Sequence, residues 1–391
     1  MPPSPRPSLP AAWSSRRSCV KRGNGLALLL VATLASAGTP PWVAVEPGLV
    51  VALPRDHGSH EGFLTEWWYL TATLATADGG ELGVQLTFFR RGLDPRPVGV
   101  GESALRARHL LAAHLAVTDL RRGRFISAQR VRRVDGALAG ASTADLRVWL
   151  DGWELRREAD DELVALAWDP VQRIAVQLRL RPTKPLVGHG VGGYSRKGPE
   201  PGNASAYLSW TRLAARGSLI VDGLVLPVDG AAWFDHEWGT TQLGASVVGW
   251  DWFGLRLADG RDLMVFLLRH ADGTPDPYSA GTLVAGDGRA HPLALGEFTV
   301  EPLATWRSPR SGATYPARWR LVVPGAGLDL RVTPRLPDAE LDARGSTGVV
   351  YWEGPVRVSG SVAGEGFAEL TGYANSLAGA FAPPASAAPA P

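Results

Sequence analysis

The chain has 391 residues, 45 % of them hydrophobic and 20 % charged, which is room for about two globular domains with full cores. A formal net charge of +2 offers no clustered basic surplus, which argues against nucleic acid as a partner. A single cysteine, Cys19, rules out an internal disulfide, so packing must hold the fold.

In chain order, residues 1–37 read as an export signal. Arg16, Arg17, Lys21 and Arg22 form a positive segment, Gly25 to Leu34 an apolar run, and Ala35-Ser36-Ala37 a cleavage site near Ala37. The apolar run is short for a membrane span. SRRSCVK (15–21) is similar to a twin-arginine signal, and a general secretory signal with a chance Arg pair is the alternative. Either route predicts a periplasmic or secreted mature protein. A Pro-rich linker (38–49) follows.

From Val50 onward the chain is built of short alternating segments punctuated by Gly, Asp-Gly and Pro. ELGVQLTFF (81–89), ADLRVWL (144–150), RIAVQLRLRP (173–182), GRDLMVFLLR (260–269) and GLDLRVTP (327–334) are examples. Period two with turns about every ten residues predicts an all-β protein of antiparallel strands. Residues 101–118 are the exception and predict a short helix before a strand. Residues 378–391 are low-complexity, a disordered tail by composition.

The segments repeat. Glu66-Trp67-Trp68-Tyr69-Leu70 returns as Asp251-Trp252-Phe253-Gly254-Leu255, each copy followed by an Asp-Gly turn and an apolar strand ending in Arg90 or Arg269. VQLRLRP (176–182) echoes LDLRVTP (328–334), and AYLSWTRLAARG (206–217) echoes VYWEGPVRVSG (350–360). Four matches in one order predict two copies of one β-domain, 50–240 and 241–377.

Strand alternation places Glu66 on the face of Trp68 and Leu70, and Asp251 on the face of Phe253 and Leu255. A carboxyl on an apolar face is desolvated and held neutral, as proton donation to an unactivated double bond requires. Equally, Arg90 and Arg269 could neutralise the two acids and close the ends of barrels. In AAWFDHEWGTTQ (231–242), Trp233, Asp235 and Glu237 share one face, and Phe234, His236 and Trp238 the other. There His236 reads either as a general base or as a clamp between domains. DHGSHEGFLTE (56–66) mixes Asp56, His57, His60 and Glu66, but H-x-x-H in a loop without a further ligand does not make a metal site. No cofactor is expected.

RDHGSHEGFLTEWWYLTATL, GYSRKG (193–198), NASAYLSWTRL (203–213), WFDHEWGTTQL (233–243), GWDWFGLRL (249–257), YWEGPVRVSG and ELTGY (369–373) together resemble the secreted AttH-type lipocalin-like proteins, relatives of bacterial carotenoid 1,2-hydratases. The resemblance runs from about Val50 to Tyr373. It implies two consecutive lipocalin-like antiparallel β-barrels, each with the capacity for one small apolar ligand. It further implies hydro-lyase chemistry, with His236, Trp238 and Asp251 at the positions the hydratases use and Asp235 beside them. Glu66, Trp67, Trp68, Tyr69, Tyr194, Trp250 and Trp252 are then the candidate ligand-binding residues, for an isoprenoid or lipid. The group is also called secreted hydrolases, yet the sequence has no G-x-S-x-G elbow. A non-catalytic periplasmic carrier, or an accessory subunit of an ABC-type permease, is the rival expectation.

Overall fold

The computed structural model describes residues 42–95 and 107–380. The export-signal expectation and Cys19 fall outside these residues, as do 101–106 and the tail from 381.

The described chain is all-β, in two antiparallel sheets. The first has thirteen strands. At its centre Thr65–Thr76 pairs on one side with Glu81–Gly92 and on the other with Leu224–Gly239, which continues to Ala204–Val221 and Ile174–Pro182. Arg147–Leu150, near the far end of the sheet, touches His109–Asp119 and Arg124–Arg133 at the other end, so the sheet curls into a nearly closed barrel. The second sheet has ten strands and forms a half-barrel. Its centre repeats the first: Gly249–Leu257 lies between Asp262–Arg269 and Gly364–Leu370, and the latter leads to Val349–Gly360 and Leu328–Pro334. The strands that echo one another in sequence thus occupy equivalent places. The two sheets are two lipocalin-like barrels, as expected.

Each barrel has its own core. Trp68, Leu70, Ala72, Phe88, Leu111, Trp153, Trp210 and Phe234 fill the first, and Phe253, Leu255, Trp319, Leu321 and Val356 the second. Each such side chain contributes roughly 1.5–3 kcal/mol by leaving water. Large side chains occupy the interior of the first barrel.

Residues 109–119 form the strand expected there, and the short helix expected before it falls on residues outside the described ones. The strand is buried on both faces, with Leu111, Ala113, Leu115 and Val117 toward the first core and Ala116 against Leu341 and Tyr351 of the second barrel. A strand covered on both sides loses its alternation and cannot be told from a buried helix by period.

The barrels pack outer face to outer face. Tyr69, Tyr207, Trp233, Trp252, Met264, Phe266, Leu268 and Phe367 make a third apolar cluster between them. Gly254, the counterpart of Tyr69, lies under the Trp252 and Trp233 rings, and a Cβ there would fall 2.4 Å from Trp252. Polar clamps flank the cluster. Asp262, fully buried, accepts from Arg212 at 2.6 and 3.0 Å and from Thr211 at 2.9 Å, and pairs with Lys184 at 2.6 Å.

Candidate functional site

The alternation expected over 233–238 holds, and it separates two sites. His236 and Trp238 point toward the first barrel; Asp235 and Glu237 point toward the second.

On the barrel side, Glu66 is the hub. It accepts from Arg90 Nε at 2.8 Å, Ser59 Oγ at 3.0 Å and the His60 amide at 3.0 Å, with His60 Nδ1 at 2.8 Å and His236 Nε2 at 2.9 Å. His60 stacks on Trp238 with centroids 3.7 Å apart, and Trp68 on His236 at 5.1 Å. Burial pushes the Glu66 carboxyl up, but the Arg90 guanidinium and the hydrogen bonds from His236 and His60 outweigh it and hold it well below the usual range. His60, Glu66 and His236 are near enough to share a metal ion. They are already joined to one another, and an ion there would have to compete with Arg90 for Glu66. The cluster staples the 56–66 segment onto the 224–239 strand. His236 accordingly meets the Glu66 carboxylate and not its chain neighbours Asp235 and Glu237, which leave on the other side of the strand, and it does not lie between the barrels.

Asp251 is the matching feature of the second barrel. It accepts from Arg269 at 2.7 Å and from the Tyr373 hydroxyl at 2.9 and 3.0 Å, and Arg269 lies over the Tyr373 ring. Burial lifts it to about 6 against the pull of Arg269. Both acids on apolar faces therefore carry the arginine partners that the sequence offered as one of two readings. The structure does not bring Asp251 together with His236 and Trp238: they face the interiors of different barrels.

Between the barrels lies a narrow cavity with about 100 Å³ open to water. Trp67, Tyr69, Phe89, Trp250, Trp252 and Phe266 wall it, and Asp235, Glu237, Glu353, Glu369, Lys197 and Tyr207 bring polar groups to it. Trp67, Phe89, Trp250 and Glu369 also border an outer cavity of about 400 Å³, lined further by Glu66, Arg90, Leu110, His114, Val349 and Tyr351. The outer space falls in the range of pockets for drug-sized ligands, roughly 300–1,000 Å³.

Asp235, 3 % exposed, is the most heavily bonded group here. Trp233 Nε1 donates to it at 2.6 Å, Tyr207 at 2.8 Å, and Ser209 closer still. Trp252 Nε1 donates to the Tyr207 oxygen at 2.9 Å, and His189 joins Ser209 at 2.7 Å. Burial dominates these bonds and pushes Asp235 up to about 7, with the neighbouring Glu237 adding to the rise. Glu237 pairs with Lys197, whose ammonium also lies over the Tyr207 and Phe266 rings. Across the cavity Glu353 and Glu369 stand directly opposite on paired strands. Burial raises Glu353 well above the usual range and Glu369 to about 7, and the charge of Glu369 adds to the rise at Glu353.

Of the expected site residues, Asp235, Trp67, Tyr69, Trp250 and Trp252 meet at the inner cavity. Glu66 borders the outer one, and Trp68 belongs to the first core. Tyr194 packs with Trp238 on the far side of the first sheet. Tyr207, Lys197, Glu353 and Glu369 are site residues that lie inside the motifs NASAYLSWTRL, GYSRKG, YWEGPVRVSG and ELTGY without standing out from them. A signal for two of them existed, since each is an acid in a strand otherwise expected to be buried, in YWEGP and FAEL.

Chemically, the arrangement is a neutral carboxyl hydrogen-bonded to a phenol, set among ring faces and shielded from bulk water. It can lend a proton to an unsaturated carbon and shelter the cation formed.

Comparison with known proteins agrees with this architecture. No curated protein sequence matches the chain. Among solved structures, a protein of Nitrosomonas europaea assigned as an AttH is 35 % identical, with 85 % of this chain and 99 % of that one covered and a TM-score of 0.77. Kievitone hydratase of Nectria haematococca shares the fold at 18 % identity, with 86 % and 97 % covered and a TM-score of 0.64. The model of the AttH-like family matches residues 44–373, and the chain belongs to that family.

Proposed function

We propose that the protein adds water across a carbon–carbon double bond of an extended, largely apolar molecule held between its two barrels, with Asp235 as the acid. The observation that carries this reading is a buried carboxyl, lifted to about 7, in an aromatic-walled cavity. That kievitone hydratase, a hydratase by name, has the same fold is in keeping with it.

The Tyr207 hydroxyl donates to Asp235 when the acid is ionised; once Asp235 is neutral its own hydrogen can take over that bond, which frees the phenolic hydrogen to turn into the cavity. The alkene π pair takes this proton, directly from Asp235 or through Tyr207, and the adjacent carbon becomes cationic. The rings of Trp67, Trp250, Trp252 and Phe266 stabilise the cation. Water then forms the new C–O bond, and its surplus proton returns to the Asp235 carboxylate, so that the acid is regenerated and only water is consumed. Burial holds the Tyr207 phenol protonated well above its usual range, as a relay needs. Glu66, His236 and Trp238 support the strand that carries Asp235.

The test uses an acyclic unsaturated isoprenoid incubated with the mature protein in ¹⁸O-labelled water. Label should enter the product, fall about a hundredfold or more with Asp235→Asn, and persist with Asp251→Asn. Full turnover by Asp235→Asn would overturn the assignment. Binding without product in the wild type would assign the cavity to a carrier instead.

A further inference from the structure

Among the described residues, fourteen buried side-chain polar atoms find no protein partner, and five of them belong to residues lining the inner cavity. They are the Tyr69 hydroxyl, Gln85 Oε1, Gln242 Nε2 and both carboxyl oxygens of Glu353. Their residues are between 1 % and 6 % exposed. Tyr69 and Glu353 are near enough to bond each other, which leaves Gln85, Gln242 and the remaining capacity of Glu353 open. Leaving such groups without a partner costs about 1–3 kcal/mol each, and a cluster of them in one place calls for a cause. The surrounding fold does not lack the means to satisfy polar groups: the other end of Gln85 donates to Tyr351 at 2.9 Å, and neighbouring Asp235 has three donors. The outer cavity, four times larger, is lined by none of the five. The unpartnered atoms are thus confined to the inner cavity, while Trp67, Phe89, Leu110, Ala112, Val131, Val349 and Leu377 give the outer one an apolar wall.

We propose that the inner cavity binds the hydroxyl-bearing ring of an amphiphile, through Glu353, Gln85, Tyr69 and Gln242, while the molecule's apolar chain lies in the outer cavity. This rests on the hydration reading for the site's location and deepens it by naming the substrate class. A hydroxyl both donates and accepts, so it suits Glu353 whether or not that carboxyl is protonated. A flat ring suits the walls, since Trp67, Phe89 and Trp252 offer aromatic faces.

The test is calorimetric titration of the mature protein with hexylresorcinol and with hexylbenzene, which differ only in two hydroxyls. Wild type should bind hexylresorcinol about tenfold or more tightly, the worth of one good hydrogen bond to a buried group. Glu353→Met should bring the two affinities together and leave thermal stability unchanged or raised, since it removes an unsatisfied group. Gln85→Leu should narrow the preference in the same direction if Glu353→Met does not fold. Equal affinities in the wild type would overturn the proposal and leave these groups to water. A Glu353→Met protein that is less stable but keeps the preference would also overturn it, by making Glu353 structural. Binding needs no turnover, so failure here leaves the role of Asp235 standing, and loss of that role leaves the binding preference to be judged alone.

Discussion

Replacing Asp235 by Asn should make the protein more stable than wild type at alkaline pH, although it removes the acid from the site. The carboxyl moves from 3.8 to about 7 on folding, because burial outweighs the hydrogen bonds from Ser209, Tyr207 and Trp233. The folded state therefore keeps a proton that the unfolded state has released over that interval. Stability associated with this group is fully present below pH 3.8 and is lost as pH rises through about 7. At about 1.4 kcal/mol for each pH unit between the two values, the loss by pH 8 is about 4 kcal/mol. Asn is neutral at every pH and can still accept from Ser209 and Trp233, so it escapes this loss. Urea unfolding of both proteins at pH 4.5 and pH 8 isolates the effect, because every other titrating group is common to the pair. The free-energy difference between variant and wild type should move by a few kcal/mol in favour of Asn between the two pH values. A difference that stays constant would show that Asp235 ionises in the fold at no cost, and the hydration chemistry would lose its acid.

Glu66→Gln should destabilise the protein by about 3–5 kcal/mol at pH 7, because Arg90, 3 % exposed, keeps its charge and loses the carboxylate that balances it. Glu66 titrates below the usual range, so its contribution is present above pH 4.5 and lost as pH falls, and the penalty should shrink when unfolding is measured at pH 3. Asp262→Ala should cost a similar amount, about 3–5 kcal/mol, by stranding Lys184 and Arg212 at the junction of the barrels. Calorimetry should then show two unfolding transitions in place of one; a single unshifted transition would mean that the clamp does not couple the barrels.

Much of the fold is legible in the sequence because a strand with one dry face must alternate. The Glu66 and Asp251 repeats, the arginines that end the following strands, and the opposite faces of Asp235 and His236 all follow from period two. What period two cannot say is which face is the ligand side. In this protein both faces of the central strands are buried, one in a barrel core and the other against the second barrel, so Trp68 and Trp67 look alike in sequence while one fills the core and the other lines the cavity. For the same reason Asp251 and Asp235, each an acid among aromatics, exchange roles: an arginine two residues beyond the paired position neutralises the first, and only hydroxyls and an indole meet the second. Lys197 lies in the GYSRKG motif, but its role is not legible there, because its partner Glu237 lies forty residues away and on another strand.

The protonation of Asp235, on which the hydration chemistry depends, can be read by infrared difference spectroscopy. The C=O stretch of a protonated carboxyl stands apart from that of carboxylates, so the wild-type spectrum minus that of Asp235→Asn reports this one group. A protonated-carboxyl band should appear in the difference spectrum at pH 5.5, fade with an apparent pKa of about 7 and be gone by pH 9. If only carboxylate shows at pH 5.5, Asp235 holds no proton to give and is not the acid of this site.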